Sequence, residues 1–273
     1  MTQHFLFSIW IFLNVFSALK AQNATPLCLG ETLTYSSTVL QEQRIIHIWH
    51  PLIKPDNDTT RYQVLWVLDG SMHEDFIHTV GVVQFFNLMF QMPPTLVVGI
   101  SNVDRKRDFT FPTQIKELQE ATPTSGGSAR FMDFLEQELL PDIKARYRTS
   151  GVHILSGQSL GGLLAAQILL KRPTMFSHYF ITSPSMWWDD SSLQTEASTL
   201  ALQLPNQPLY AHIAVGQEGR IMKKGAKKLY KALKNAQKPQ LTTHFTFLPK
   251  ENHATILHQS LYSMLLQMYP YQP

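Results

Sequence analysis

Residues 157–161 read Gly-Gln-Ser-Leu-Gly, the G-x-S-x-G pattern of a strand–turn–helix elbow. In such an elbow a strand enters a sharp turn, and the turn holds a serine hydroxyl out at the start of a helix. The flanks have the required character, because residues 152–156 predict a short buried strand and residues 160–170 predict a helix that is apolar on nearly all sides. The stretch therefore makes Ser159 a candidate nucleophile.

The composition of the 273-residue chain is that of a globular protein, with 44% hydrophobic and 16% charged residues. Its length fits one α/β domain after an N-terminal segment of about twenty residues. The formal net charge of +3 is too small to predict nucleic-acid binding. The single cysteine, Cys28, excludes an internal disulfide framework and a cysteine-rich metal site. No metal or organic cofactor is implied.

The first 21 residues are typical of a secretory signal peptide, although residues 1–4 contain no Lys or Arg. An apolar run over residues 5–19 is too short for a stable membrane span. The alternative is an uncleaved N-terminal anchor. Both interpretations place the protein in the periplasm or outside the cell, and we expect no stable membrane insertion after cleavage. Residues 22–29 are then a tail, and residues 30–273 a single domain.

Hydrophobic periodicity predicts an antiparallel hairpin over residues 31–50, followed by alternating strands and helices. The later strands are expected over residues 62–68, 95–100, 152–156, 180–183, 209–215 and 241–248. This order predicts an α/β fold with a mostly parallel sheet and helices on both faces. Residues 101–128 are expected to form a long polar loop. The helix over residues 222–236 carries six lysines, which favours a solvated face over a membrane-surface patch.

A serine hydroxyl at its ordinary pKa is a poor nucleophile, so Ser159 needs a base, and the base needs an orienting acid. In this architecture the acid and the histidine follow the serine along the chain, each in a loop after a strand. His253 lies directly after the last predicted strand, whereas His258 lies inside the last predicted helix. His253 is therefore the predicted base.

Glu218 is the favoured acid, because it comes directly after the strand over residues 209–215. Asp189 and Asp190 follow the preceding strand and compete for this role, although both also suit a helix N-cap. An oxyanion hole needs two backbone N–H groups. Leu160 supplies one, and the turn over residues 69–71 supplies the second.

Several stretches of the chain, from about residue 30 to the C-terminus, match a known family. They are residues 67–70, 107–110, 131–141, 157–162, 183–188, 216–218 and 252–253. Together they resemble the putative-esterase family of α/β-hydrolases, which holds ferric-siderophore esterases, antigen 85 mycolyltransferases, S-formylglutathione hydrolases and feruloyl or acetylxylan esterases. Residues 183–188 read Ser-Pro-Ser-Met-Trp-Trp, which is most similar to the periplasmic siderophore esterase branch.

The resemblance implies an α/β-hydrolase fold and an exported serine esterase acting on a small-molecule ester. It implies Ser159 as nucleophile, His253 as base and Glu218 as acid, and it gives the second oxyanion N–H to Ser71. A siderophore-like lactone is one implied substrate. The alternatives are an acyltransferase, a feruloyl or acetyl carbohydrate esterase on the same site, and a non-catalytic binding domain with an incomplete site.

Cationic and indole side chains near the strand ends are candidates for substrate contacts. Arg107, with Arg105 and Lys106 beside it, lies in the predicted long loop, and Trp187 and Trp188 follow a later strand. Facing one cleft, they would suit an anionic or aromatic acyl group. The alternatives are that Arg107 pairs with Asp108 or another carboxylate, and that one tryptophan belongs to the core.

Overall fold

The computed structural model describes residues 25–51 and 60–271. The predicted signal segment, residues 1–21, lies outside the described residues. Within the described ranges, no helix is both long enough and apolar enough to cross a membrane.

Eight strands of the described chain form one sheet. They are β1 (Glu31–Ser37), β2 (Glu42–Trp49), β3 (Tyr62–Val67), β4 (Thr95–Ile100), β5 (Thr149–Gln158), β6 (His178–Thr182), β7 (Leu209–Gly216) and β8 (Leu241–Leu248). Their order across the sheet is β1-β2-β4-β3-β5-β6-β7-β8. Strand β2 pairs antiparallel with β1 and β4, and all later pairs are parallel. The predicted hairpin and mostly parallel sheet are confirmed.

Helices cover both faces of the sheet. They are α1 (Asp75–Leu88), α2 (Arg105–Phe109), α3 (Lys116–Ala121), α4 (Ser128–Phe134), α5 (Leu140–Arg146), α6 (Leu160–Lys171), α7 (Trp188–Leu202), α8 (Gly219–Asn235) and α9 (Ile256–Met268), with a π-helical turn (Leu135–Leu139) between α4 and α5. Helices α1 and α9 pack on one face, while α4 to α8 bury their apolar sides against the other. This double cover explains the continuous apolar runs in the central strands.

Strand β3 shows how one apolar strand contributes side chains to the cores on both faces of the sheet. Val64 and Trp66 point to the core under α4 to α8, while Leu65 and Val67 point to the core under α1 and α9. Apolar residues are therefore favoured at successive positions, since successive side chains enter opposite faces of a sheet that is buried on both sides. The parallel strands consequently end at one common edge, where loops can carry functional side chains.

The prediction of an unstructured loop over residues 101–128 was wrong, because the segment contains α2 and α3. Each is only one or two turns long, too short for apolar periodicity to reveal. The side chain of Asp104 caps α2 by accepting a hydrogen bond from the backbone N–H of Arg107 at 3.0 Å. Helix α2 therefore holds its arginines in fixed positions.

A buried ion cluster ties α2 to the sheet. Asp108 is 1% exposed and accepts from Arg44 of β2 at 2.5 Å and from Arg107 at 2.7 Å. Glu42, at the start of β2, accepts from both arginines at 2.6 Å. A buried charge is tolerated only when it is paired and hydrogen-bonded, and here two carboxylates face two guanidinium groups. The cluster anchors α2 beside the carboxyl ends of the strands.

We predict that Asp108→Asn lowers the free energy of unfolding by about 3 kcal/mol, because it leaves the buried Arg44 with one carboxylate partner instead of two. Urea denaturation measures this loss. The matched control is Asp142→Asn, which removes an exposed pair with Arg146 and should change stability by less than about 1 kcal/mol. Equal losses in the two variants would show that the cluster does not hold α2.

Candidate active site

The predicted elbow has the expected strand–turn–helix form. Strand β5 ends at Gln158, Ser159 has φ 60° and ψ −116°, and α6 begins at Leu160. A positive φ is strained for a serine, so the surrounding contacts must hold it there. The Ser159 N–H donates to the Thr182 carbonyl at 3.1 Å, and the Ser159 carbonyl accepts from the Ser185 N–H at 3.0 Å. The end of β6 and the loop after it thus hold the turn from both sides.

Two glycines allow the strand and the helix to approach each other. A Cβ on Gly157 would lie 2.5 Å from the Gly161 carbonyl oxygen, and one on Gly162 would lie 2.8 Å from the Thr182 oxygen. Both distances are shorter than any real Cβ contact, so larger residues would move the elbow. At Gly161 itself the nearest atom would be 3.3 Å away, a milder restriction than the pattern suggested.

The structure brings Ser159, His253 and Glu218 into one hydrogen-bonded chain. His253 Nε2 lies 3.0 Å from Ser159 Oγ, and His253 Nδ1 lies 2.6 Å from Glu218 Oε2. The three residues come from the loops after β5, β8 and β7, whose carboxyl ends meet at the same edge of the sheet. These distances are within the reach required for proton transfer from a hydroxyl to an imidazole.

Glu218 is buried, with 1% of its side chain exposed. Burial alone would raise its pKa, but hydrogen bonds from His253, from the Ser183 hydroxyl and from the Gly216 N–H outweigh that effect and lower the pKa below the usual glutamate range. The carboxylate is therefore ionised at neutral pH, and it fixes a proton on His253 Nδ1. That leaves Nε2 free to accept the proton of Ser159.

The other carboxylates considered for this position lie elsewhere. Asp189 Oδ1 accepts from the Thr113 hydroxyl at 2.8 Å and from the Gln114 N–H at 3.2 Å. Asp189 and Asp190 both have positive φ angles at the start of α7. It is Glu218 that contacts His253.

Several residues of the site were not identified from sequence. Ser183 holds Glu218, and Ser185 places its Oγ 3.3 Å from Ser159 Oγ. Gln158 donates from Nε2 to the His253 carbonyl at 2.5 Å, which braces the histidine loop against the elbow. The Ser-Pro-Ser run was visible in the sequence, but only the adjoining ends of β5, β6 and β7 reveal what its hydroxyls contact.

The two predicted oxyanion donors follow neighbouring strands of the sheet, β3 and β5. Leu160 is the first residue of α6, so its N–H has no acceptor within the helix. Ser71 is buried in the turn after β3, and β3 pairs directly with β5. A Cβ on Gly70 would lie 2.3 Å from the Ile100 nitrogen, so glycine is required in this turn. Both N–H groups consequently lie at the edge that carries Ser159.

Arg105 joins this turn to the elbow. Its Nε and Nη2 donate to the two oxygens of Asp69 at 2.6 and 2.9 Å, and Nη2 also donates to the Gln158 carbonyl at 3.3 Å. Asn102 donates to the same Asp69 carboxylate at 2.6 Å. A bidentate arginine–carboxylate pair has a fixed planar geometry. The guanidinium therefore sets the separation between residues 69–71 and the residue that precedes Ser159.

The cleft over Ser159 has a volume of about 390 Å³. It is lined by Asp69, Glu74, Asp75, Arg105, Gln158, Ser159 and His253. Three carboxyl groups therefore face one arginine, and that arginine is already paired with Asp69. Burial, reinforced by the negative charges of Asp69 and Glu74, raises the pKa of Asp75 to about 7. The described wall of the cleft is acidic, contrary to the cationic lining expected from sequence.

The three expected substrate contacts are absent from the described lining of this cleft. Arg107 is bound to Glu42 and Asp108, which is the structural alternative considered for it. Trp188 is 1% exposed and donates its indole N–H to the Phe111 carbonyl at 2.9 Å, so it is a core residue. Trp187 is 39% exposed and packs against Trp188. A substrate-contacting role for Trp188 is incompatible with its burial.

A larger cavity of about 900 Å³ lies at the amino ends of the strands. Its lining includes Arg61 before β3, Ser177 before β6 and Pro208 before β7. The hydrogen-bonded chain of Ser159 is at the opposite ends of these parallel strands, so this cavity is separate from it.

Comparison with known proteins gives consistent results. A family model described as Putative esterase matches residues 37–254. The ferri-bacillibactin esterase BesA of Bacillus subtilis (strain 168) is 30% identical over 236 residues, which cover 79% of this chain and 82% of BesA.

Two solved structures are similar over most of their length. The BES protein from Bacillus cereus has a TM-score of 0.78 and 28% identity, with coverage of 90% of this chain and 96% of that one. An IroE-like serine hydrolase from Shewanella oneidensis has a TM-score of 0.79 and 26% identity, with coverage of 88% and 80%.

We predict that Arg105→Ala slows the reaction of Ser159 with a fluorophosphonate probe by about tenfold or more. The reason is that the turn over residues 69–71, which carries the second predicted oxyanion donor, loses its link to the elbow. Arg105→Lys should recover little, since lysine cannot form the bidentate pair, whereas added guanidinium should partly rescue the alanine variant. The control is Arg130→Ala, whose side chain donates to the Val39 carbonyl on the protein surface. Unchanged labelling in Arg105→Ala would contradict the linking role.

We also predict that Asp75→Asn stabilises the protein at alkaline pH. The folded-state pKa of about 7 exceeds the ordinary value of 3.8, so the wild-type protein loses stability as the pH rises through this interval. The melting temperature of the variant should exceed that of wild type by about 3 °C or more at pH 8, and the two should agree near pH 4.

Scanning calorimetry at both pH values measures this difference. Glu117→Gln is the matched control, because Glu117 is an exposed carboxylate in the first turn of α3. A gain at pH 8 that Glu117→Gln shares, or one that persists at pH 4, would show that ionisation of Asp75 is not its cause.

Proposed function

The chain belongs to the putative esterase family and is a carboxylic ester hydrolase, and on that premise we propose that Ser159 is its nucleophile, His253 its base and Glu218 its acid. The observation that carries this proposal is the hydrogen-bonded chain from Glu218 through His253 to Ser159, at 2.6 and 3.0 Å. A nucleophile, a base and an orienting carboxylate in this order are sufficient for acyl transfer to a serine.

In the first half of the reaction, Ser159 Oγ attacks the ester carbonyl while His253 Nε2 takes the hydroxyl proton. The imidazolium that forms is stabilised by the ionised Glu218 on its other nitrogen. Negative charge develops on the carbonyl oxygen, and the N–H groups of Leu160 and Ser71 are the proposed donors to it. Such donors are effective because they are already oriented before the charge appears.

In the second half, the tetrahedral intermediate collapses and the bond from the carbonyl carbon to the leaving oxygen breaks. The proton on His253 Nε2 passes to that oxygen, so the alcohol leaves neutral and the acyl group stays on Ser159. Water then attacks the acyl-enzyme, with His253 again accepting the proton. The bond from the acyl carbon to Ser159 Oγ breaks, the acid leaves, and the proton on His253 Nε2 returns to Ser159. The 46% exposure of the His253 side chain supports direct access of this water.

For the substrate, we propose a siderophore-like lactone ester. The support is the similarity to BesA, which is named a ferri-bacillibactin esterase. The open cleft is compatible with a bulky ester, because only a short stretch of the substrate has to reach Ser159. Its acidic wall favours contact through hydrogen-bond donors of the substrate rather than through its anionic groups.

We further propose that the protein is exported to the periplasm or the extracellular space. The support is the apolar run over residues 5–19 and the small residues that follow it. N-terminal sequencing of the protein recovered outside the cytoplasm tests this point. A start near residue 22 supports a cleaved signal peptide, and recovery of the intact chain in the cytoplasm contradicts export.

We predict that Ser159→Ala and His253→Ala each lower kcat for p-nitrophenyl esters by at least about 1,000-fold, and that Glu218→Gln lowers it less. The removal of Ser159 eliminates the acyl-enzyme, whereas the loss of the Glu218 charge leaves the nucleophile and base in place. His258→Ala is the control, since this exposed histidine lies on α9 and contacts His78. Full activity in Ser159→Ala would overturn the assignment.

A substrate panel tests the proposed ester class separately. It compares short acyl esters, feruloyl and acetyl sugars, and a catecholate trilactone with and without iron. The expected outcome is the highest kcat/KM for a trilactone. A preference for short acyl esters would contradict the lactone proposal and leave the serine mechanism standing. Formation of a new ester with a competing alcohol would identify acyl transfer.

A further inference from the structure

The outer side of α8 carries a dense row of cations. Six side chains form this row, which we call the cationic ridge: Arg220, Lys223, Lys224, Lys227, Lys228 and Lys231. They recur every three or four residues, so they project from one side of the helix. From the first to the last, the ridge is about 17 Å long at 1.5 Å per residue.

The described part of the protein does not neutralise this charge. Helix α8 contains no Asp or Glu. Among residues 25–51 and 60–271, no carboxylate forms an ion pair with any member of the ridge. Lys223 donates only to the neutral amide oxygen of Gln217, at 2.9 Å. Neighbouring lysines on one helix face repel each other, and carboxylates usually offset such repulsion. Among the described residues, the ridge has no such counter-charges.

The charge is also distributed unevenly over the whole sequence. With Lys234, α8 holds seven of the 23 lysines and arginines. The remaining 16 are outnumbered by 20 aspartates and glutamates, so the rest of the chain has a formal charge of −4 while α8 has +7. A solvated helix face needs no such segregation. This segregation of positive charge on α8 is the pattern expected of a surface that binds an extended array of anions.

Exposed apolar side chains lie at the amino end of the ridge. Ile221 is 68% exposed and Phe247 is 41% exposed, and the Lys223 ammonium lies 5.8 Å from the centre of the Phe247 ring. Nucleic acids and acidic polysaccharides present anions without an apolar layer, whereas a lipid bilayer presents both. Leu229 and Leu233 are buried against the sheet, so α8 itself stays folded on the protein when the ridge meets a surface.

We propose that the cationic ridge docks this protein onto a bilayer that contains anionic phospholipids, with headgroup phosphates as its counter-ions. Each lysine or arginine near such a surface strengthens binding by about fivefold. Ile221 and Phe247 enter the headgroup region beside it. This is peripheral attachment and does not require a membrane-spanning helix.

Docking through the ridge has a consequence for the cleft. Helix α8 begins immediately after Glu218, which is its N-cap residue. The amino end of the ridge is therefore adjacent to the loop that carries the proposed acid, so docking brings the bilayer close to that loop. The proposal does not depend on the chemistry assigned to Ser159.

Co-sedimentation of the full-length chain with vesicles tests the proposal. Neutral phosphatidylcholine vesicles are compared with vesicles that contain phosphatidylglycerol. The apolar run over residues 5–19 could bind either kind, so the readout is the ratio of the two partition coefficients. We expect the wild-type ratio to be about 100 or more in dilute salt, and to collapse when high salt screens the phosphates.

The decisive variant reverses three charges of the ridge, as Lys224→Glu, Lys227→Glu and Lys228→Glu combined. Its ratio should fall by at least about 100-fold, because each of the three lost lysines accounts for about fivefold and each added glutamate repels the phosphates further. The matched control combines Lys116→Glu, Lys144→Glu and Lys171→Glu, which change the net charge equally on α3, α5 and the end of α6. That variant should keep the wild-type ratio within about threefold, and both should retain ester turnover in solution.

Equal losses in the two triple variants, or a wild-type ratio near one, would overturn the proposal. A heparin and duplex-DNA arm separates the other polyanions. If the ridge variant loses heparin or DNA binding while the wild-type protein shows no preference for anionic vesicles, the ridge binds a polysaccharide or nucleic acid, and the membrane proposal is wrong.

Discussion

The strained turn at Ser159 is the constraint on which the rest of the site depends. Its φ of 60° is maintained because β5 and α6 approach through Gly157, and because the end of β6 and the loop after it bond to the N–H and the carbonyl of Ser159. The loop after β6 is therefore attached to the turn. Ser183, in that loop, hydrogen-bonds Glu218, so the backbone that strains the serine also positions the carboxylate.

Buried and half-buried ion pairs extend this constraint outward through α2. On one side of the helix, Arg105 joins Asp69 to the carbonyl of Gln158. On the other, Arg107 meets Asp108 and Glu42 close to β2. A single short helix thus connects the edge of the sheet to the elbow. The carboxylates that its arginines bind, Asp69, Asp108 and Glu42, have cationic partners that compensate for their burial.

The electrostatic character of the molecule changes sign across Glu218. The cleft wall before it is acidic, with Glu74 and Asp75 facing Ser159, and the helix after it is strongly basic. This separation assigns the cations to a surface outside the cleft. An anionic substrate group would consequently gain little from the wall around Ser159, and an anionic surface would gain much from α8.

The amino-acid sequence by itself determined the sheet, the double helical cover and the chain order of Ser159, Glu218 and His253. Continuous apolar strands can be buried only between two helical layers, and loops after parallel strands meet at one edge. Only the tertiary structure decided which side chains meet at that edge. Arg105 binds Asp69 and Trp188 enters the core, because each partner comes from a distant part of the chain and burial depends on what packs above it. Helix α2 could not be predicted from the sequence, because five residues are too few to show helical periodicity. Its position also depends on the charge of Arg44, which comes from β2.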